Sequence, residues 1–218
     1  MRKNLLNLCL TALMCVVSTT AWALSKVDGV YQIGTAEDLK AFAELVNSTE
    51  PYANAILTAD IDKGTDNTQI GRDGQDFQGV FDGAGHTITY NMTFTENGGG
   101  LFRNVGVHAV IKDLKVQGTI TTSAKFAGGI AGWNSGRILG CYIDVNIISQ
   151  REDLDDKDAT HGGLVGIAYR GTVITNCLSK IDIDGENVTL TDLMGEKKTF
   201  KGRLTFADLT GAVIRIDC

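Results

Sequence analysis

The chain has 218 residues, a formal net charge of −6 and only three His, with 43% hydrophobic and 21% charged residues. Such an acidic balance lacks the clustered Lys and Arg that nucleic acid or an anionic membrane surface requires, so neither is an expected partner. Gly is abundant (26) and Pro nearly absent (one), which suits tight turns between strands whose backbone N–H groups are all engaged.

Residues 1–23 read as a signal peptide. Arg2 and Lys3 form a basic start, Leu8 to Val17 an apolar stretch, and Ala21-Trp22-Ala23 a small-x-small cleavage site. The apolar stretch is shorter than the ~20 residues a membrane span needs. Cys15 ends it, but Met14 stands where a lipobox wants Gly or Ala, so lipidation is not expected. The mature chain is expected outside the cytoplasm, in the extracellular space, at the cell surface or in the periplasm. Its net charge is about −8 once Arg2 and Lys3 are gone, and no later segment is apolar enough to cross a membrane.

Residues 24–60 predict a strand and a capping helix. Gly29 to Gly34 reads as a short opening strand. Thr35 then offers an N-cap, with Glu37 and Asp38 in the first turn. Leu39, Phe42, Ala43 and Val46 follow at i, i+3, i+4 and i+7, a single apolar stripe over about Ala36 to Val46. Asn47, Ser48 and Pro51 end it. A lone amphipathic helix ahead of a long β region is expected to cover the open end of the core.

Residues 61–185 carry an internal repeat. Gly99-Gly100-Leu101-Phe102, Gly128-Gly129-Ile130-Ala131-Gly132 and Gly162-Gly163-Leu164-Val165-Gly166 each open an apolar run that leads into an alternating segment. Periods of this length signal stacked units that bury their apolar faces against one another. Leu101, Ile130 and Leu164 match, as do Ile111, Ile138 and Ile174, then Leu114, Cys141 and Cys177, then Ile120, Ile147 and Ile183. Parallel pairing is expected, because Asn-Gly and Asp-Gly hairpin turns are missing between the runs. The fold class is therefore an all-β, short parallel β-solenoid with an N-terminal capping α-helix. The third copy gains five residues just before its glycine pair. The polar stretch Gln150 to Ala159 accounts for them and is expected to be a loop.

Of five Cys, two leave with the signal. The remaining three do not make a disulfide framework. Cys141 and Cys177 recur at one repeat position, as an inward ladder of small apolar thiols or as a pair close enough to oxidise.

Phe77-Gln78-Gly79-Val80-Phe81-Asp82-Gly83-Ala84-Gly85-His86-Thr87-Ile88, with Gly162 to Gly166 and Ile174-Thr175-Asn176-Cys177, resembles the repeat of bacterial GLUG-repeat surface proteins. Asp28 to Asp60 is similar to the lead-in of that family. The resemblance covers roughly residues 28–185 and implies a right-handed parallel β-helix on exported proteins of Bacteroides-like bacteria. It says little of function, since such repeats occur in adhesins and beside peptidase domains. The glycine pairing fades after Asp184, so residues 186–218 form an atypical segment. The expectation is a truncated or frameshifted family member with a C-terminal edge open to self-association.

Candidate chemistry is sparse. Asp82 and His86 could be drawn as an acid–base pair, but the expected reading is a turn made by Asp82 and Gly85 with His86 as a solvated residue opening a strand. Lys112, Asp113, Lys115, Asp144, Lys180, Asp182 and Asp184 are outward. Asp144 and Lys180 are expected as an ion pair, and Asn146 opposite Asp182 leaves one carboxylate where a glycosidase dyad needs two. Glu152, Asp153, Asp155, Asp156 and Asp158 lack the order of a Ca²⁺ loop. His108 and His161 stand alone, with no His-Glu-x-x-His motif, so no metal and no cofactor are expected. Trp133-Asn134 and Tyr169-Arg170 fall at matching turns, where the two aromatics would make a small stack suited to a sugar or a protein surface, or to ordinary turn packing. The expected function is a non-enzymatic module for adhesion or interaction at a bacterial surface, with a glycan or a surface protein as partner. The alternatives are a carbohydrate-active lyase or glycosidase, or an accessory segment of a larger surface protein.

Overall fold

The computed structural model describes residues 24–151, 160–179, 181–184, 187–191, 197–201, 203–208 and 213–217. The signal segment, most of the acidic stretch (152–159), Lys180 and Cys218 lie outside these, and with them the expectations placed there. The described chain is mostly β, with parallel sheets and one helix.

It opens with β1 (Lys26–Val27) and β2 (Val30–Ile33), paired antiparallel. The helix α1 (Ala36–Ser48) follows as its stripe predicts. Thr35 Oγ1 accepts from the Asp38 N–H at 3.1 Å, and Asp38 Oδ2 accepts from the Thr35 N–H at 3.1 Å, a closed capping box. Leu39, Phe42, Ala43 and Val46 are its buried residues. The Phe42 ring sits 5.9 Å from Tyr31, 6.2 Å from Phe77 and 6.0 Å from Phe81, so the helix packs across several strands at once.

The next strands are β3 (Asn54–Leu57), β4 (Ile61–Gly64), β5 (Val80–Asp82) and β6 (Thr87–Phe94). Then come β7 (Phe102–Val105), β8 (Val110–Lys112), β9 (Lys115–Thr122), β10 (Phe126–Gly128) and β11 (Ala131–Asn134). The later copies are β12 (Arg137–Leu139), β13 (Tyr142–Ser149), β14 (Thr160–Gly162), β15 (Val165–Ala168), β16 (Val173–Thr175) and β17 (Leu178–Ser179). From β2 onward these pair in parallel across the repeats, in the orders β2-β3-β5-β8-β12-β16, β4-β6-β9-β13-β17, β7-β11-β15 and β10-β14.

The expected ladder is present, Ile111 pairing with Ile138 and Ile138 with Ile174 in parallel register, and Phe81, which the repeat alignment did not include, extends it by pairing with Ile111. On the sheet with the longest strands Ile88, Val116 and Ile143 form one buried row, and Met92 and Ile120 a second that ends on the partly buried Ile147. Each such side chain contributes roughly 2 kcal/mol by leaving water. Leu101, Ile130 and Leu164 lie at most 1% exposed, as matched. The glycine pairs stack where backbones come closest. A Cβ on Gly129 would lie 2.5 Å from the Gly163 carbonyl oxygen, and the buried Tyr90 hydroxyl donates to the Gly129 carbonyl. Burial pushes the Tyr90 phenol far up, so it stays a neutral donor.

One match fails. Ile183 does not stack on Ile147. It lies in β18 (Ile181–Asp184), where it pairs antiparallel with Val188 of β19 (Asn187–Thr191), and Asp182 likewise pairs with Thr189 rather than standing opposite Asn146. β19 pairs with β20 (Lys197–Lys201), and β21 (Arg203–Asp208) with β22 (Val213–Asp217), both antiparallel. Parallel pairing thus runs to Ile143–Ser179 and hairpins take over.

Candidate functional site

β7, β11 and β15 present an outward row in which Asn104 pairs with Trp133 and Trp133 with Ile167. Beside it lies a cleft of about 260 Å³ lined by Asp76, Asn104, Val105, Trp133, Ser135 and Tyr169. Two of the four residues expected to bind are therefore on this cleft, and they come from successive repeats.

The indole is held in place from behind. Its ring centroid is 5.9 Å from that of Phe126. Gly98, at φ +89°, runs beside it: a Cβ there would come 3.1 Å from Arg103 Cγ and 3.4 Å from Cε3 and Cζ3 of Trp133. Tyr169 is 52% exposed, and its backbone N–H donates to the Asn134 carbonyl at 2.9 Å. The expected stack of the two rings is not formed. Trp133 lies within β11 opposite Ile167, and Tyr169 lies beyond β15, across the cleft.

Asn134 is buried and lies outside the cleft lining, and its Nδ2 lacks a hydrogen-bond partner. Its Oδ1 accepts from the Gly136 N–H at 3.0 Å, tightening the turn after β11. Arg170 is exposed on the turn beyond Tyr169 and outside the lining.

The polar groups at the cleft come from positions that carry no sequence motif. Asn104 Nδ2 donates to Asp76 Oδ1 at 3.2 Å and lies 3.4 Å from Asp73 Oδ1. Arg103 donates to Asp73 Oδ2 at 2.8 Å and to Glu96 Oε2 at 3.0 Å, which anchors that carboxylate. Asn104 Oδ1 and Trp133 Nε1 are buried and lack a hydrogen-bond partner. An orphaned buried polar atom costs about 1–3 kcal/mol. Aligning Phe102 with Ala131 was the one signal that places Asn104 beside Trp133.

The other candidates settle into structural roles. Asp82 Oδ1 accepts from the Ala84 N–H at 2.8 Å, and its Oδ2 takes the Lys112 ammonium, so Asp82 makes the turn. His86 pairs instead with Asp60, Nδ1 to Oδ1 at 3.2 Å. Asp60 also accepts from the Thr87 N–H, and that bond, followed by the one with His86, holds its carboxyl below the usual range. Lys112 also reaches Asp113 at 3.5 Å, an outward ion-pair group. His108 packs near Tyr52, and His161 Nε2 lies 3.0 Å from the Ala124 carbonyl oxygen. Among the described residues no group of three His, Cys, Asp or Glu is placed to hold a metal, and no helix is long and apolar enough to cross a membrane. No family model, curated protein or solved structure matches the chain.

Proposed function

We propose that the chain is an exported, non-enzymatic module of the GLUG-repeat surface type, folded as a right-handed parallel β-helix, that takes a sugar ring of a surface glycan in the Trp133–Tyr169 cleft. The observation that carries the reading is the cleft itself. Two aromatic side chains from successive repeats flank a carboxylate (Asp76), an amide (Asn104) and a hydroxyl (Ser135). A pyranose has an apolar C–H face for an aromatic ring and an edge of hydroxyls for such groups. The volume of about 260 Å³ sits just below the ~300–1,000 Å³ of clefts for drug-sized molecules, which suits one ring rather than a buried chain. The β-helix reading is supported by strands that pair in parallel with the preceding repeat, in four sheets.

One observation favours the glycosidase alternative. Asp73 and Asp76 both reach the amide of Asn104, giving two neighbouring carboxylates, of which Asp76 lines the cleft and Asp73 lies outside the lining. Arg103 holds Asp73 as a fixed ion-pair partner, the arrangement of a structural rather than a reacting group. A glycan array run beside a reducing-sugar release assay decides. Binding without release, lost at least tenfold in Trp133→Ala with an unchanged circular dichroism spectrum, is the expected result. Release that vanishes in Asp76→Asn would replace this reading with the enzyme.

A further inference from the structure

The two cysteines at one repeat position meet in the fold. Tyr142 and Leu178 pair in parallel register, which sets Cys141 opposite Cys177 at the ~4.8 Å spacing of neighbouring strands. The Leu178 N–H donates to the Cys141 carbonyl at 3.0 Å, and Cys177 Sγ lies 3.5 Å from the Cys141 backbone N. We propose that Cys141 and Cys177 are a disulfide-forming pair that staples the last parallel repeat to the one before it.

The geometry suits the bond. A strand spacing of ~4.8 Å lies within the ~4.4–6.8 Å that disulfide-linked Cα atoms span. Each cysteine follows a residue in the left-handed region, Gly140 at φ +62° and Asn176 at φ +55°. Both therefore sit just outside a strand, where the side chains can close the remaining gap without breaking ladder hydrogen bonds.

The two thiols are unequal. Cys141 is 0% exposed, whereas Cys177 is half-buried and within reach of solvent. Their mutual hydrogen bond, and then burial, push the Cys141 thiol up, while that same hydrogen bond holds Cys177 below its ordinary value. Cys177 is therefore the attacking thiol and Cys141 the resolving one. With a low-molecular-weight disulfide such as oxidised glutathione, the Cys177 thiolate attacks one sulfur and expels a glutathione thiolate. Cys141 then gives up its proton and attacks Cys177 Sγ, expelling the second glutathione. The protein loses two protons and two electrons, and the oxidant leaves as two thiols.

Trypsin separates the pair onto peptides 138–151 and 171–180, each with one cysteine. After the reduced, folded chain is incubated with oxidised glutathione, a non-reduced digest should join these two peptides as the dominant product. Reduction should separate them, and unfolding in urea before oxidation should abolish the preference. The oxidised chain should also melt above the reduced one. Cys141→Ser should hold a stable glutathione adduct on Cys177, and Cys177→Ser should leave Cys141 unmodified. Glutathione retained on Cys177 of the unaltered chain, or dominant linkage to Cys218 or between chains, overturns the proposal. So does adduct formation on Cys141 in Cys177→Ser as fast as on Cys177 in Cys141→Ser. The mapping on the unaltered chain decides even where a serine variant does not fold.

Discussion

Lys63 brings an ammonium group into a nearly closed setting, its side chain only 2% exposed, with the Asp66 carboxylate 3.7 Å away and the Asp66 carbonyl as hydrogen-bond acceptor. Burial lowers its pKa from 10.5 to about 8, against the opposing pull of Asp66. A lysine depressed in the folded state penalises folding below its folded pKa, and the penalty is gone above its unfolded one. The stability of the natural chain relative to Lys63→Met should therefore rise as the pH goes from about 8 to 10.5. Urea titrations of both chains across that window measure it, and a flat difference would mean that Lys63 keeps its proton throughout. The cleft shows how far single residues were legible. Trp133 and Tyr169 stand out as aromatics near turns, so they could be named from the chain. Asp76 and Asn104 sit in no motif; the pairing of β7 with β11 sets Asn104 beside the indole, and Asp76 joins through its hydrogen bond to the Asn104 amide. Asn134 sits next to an aromatic in the sequence, whereas in the fold it is fully buried with its Oδ1 engaged in the turn.

α1 was readable to within a residue or two because its signals are local: a capping box, acids in the first turn and one apolar stripe. What the chain did not reveal was the depth of the packing, with Phe42 touching rings from residues 31, 77 and 81. Phe42→Ala should cost about 3–5 kcal/mol, against about 1 kcal/mol for loss of the cap in Thr35→Ala. Equilibrium denaturation of the two variants checks the ratio, and equal small losses would mean that the helix is peripheral to the core. The strand rows were legible for the same reason, since alternation and a recurring glycine pair are properties of the chain itself. The two misplacements have separate origins, and the first is that a period read from sequence assumes equal turns. Asn134 pairs with Ala168 but Arg137 with Val173, so the turn carrying Tyr169 is two residues longer than the one after β11. Ile183 kept the alternation yet joined a hairpin, where closing a short loop costs less entropy than reaching back a whole repeat.

At the scale of the molecule, parallel partners lie far apart along the chain: Ala55 meets Phe81, Ile111 meets Ile138, and Ile138 meets Ile174. Contacts of such range must be found before they stabilise anything, which places folding in the millisecond-to-second range typical of non-local β proteins, ~10⁻³ to 1 s. Stopped-flow refolding should show it, and a microsecond phase carrying the whole amplitude would contradict the pairing. Among the described strands, β14, β15, β16 and β17 each end their sheet, and all four belong to one repeat. That alignment makes the architecture copyable. An in-frame duplication of one repeat would supply, in a single genetic event, a strand for each of the four parallel sheets. The number of parallel-paired units can therefore change by one without altering the pairing of β7 with β11 that sets Asn104 beside Trp133.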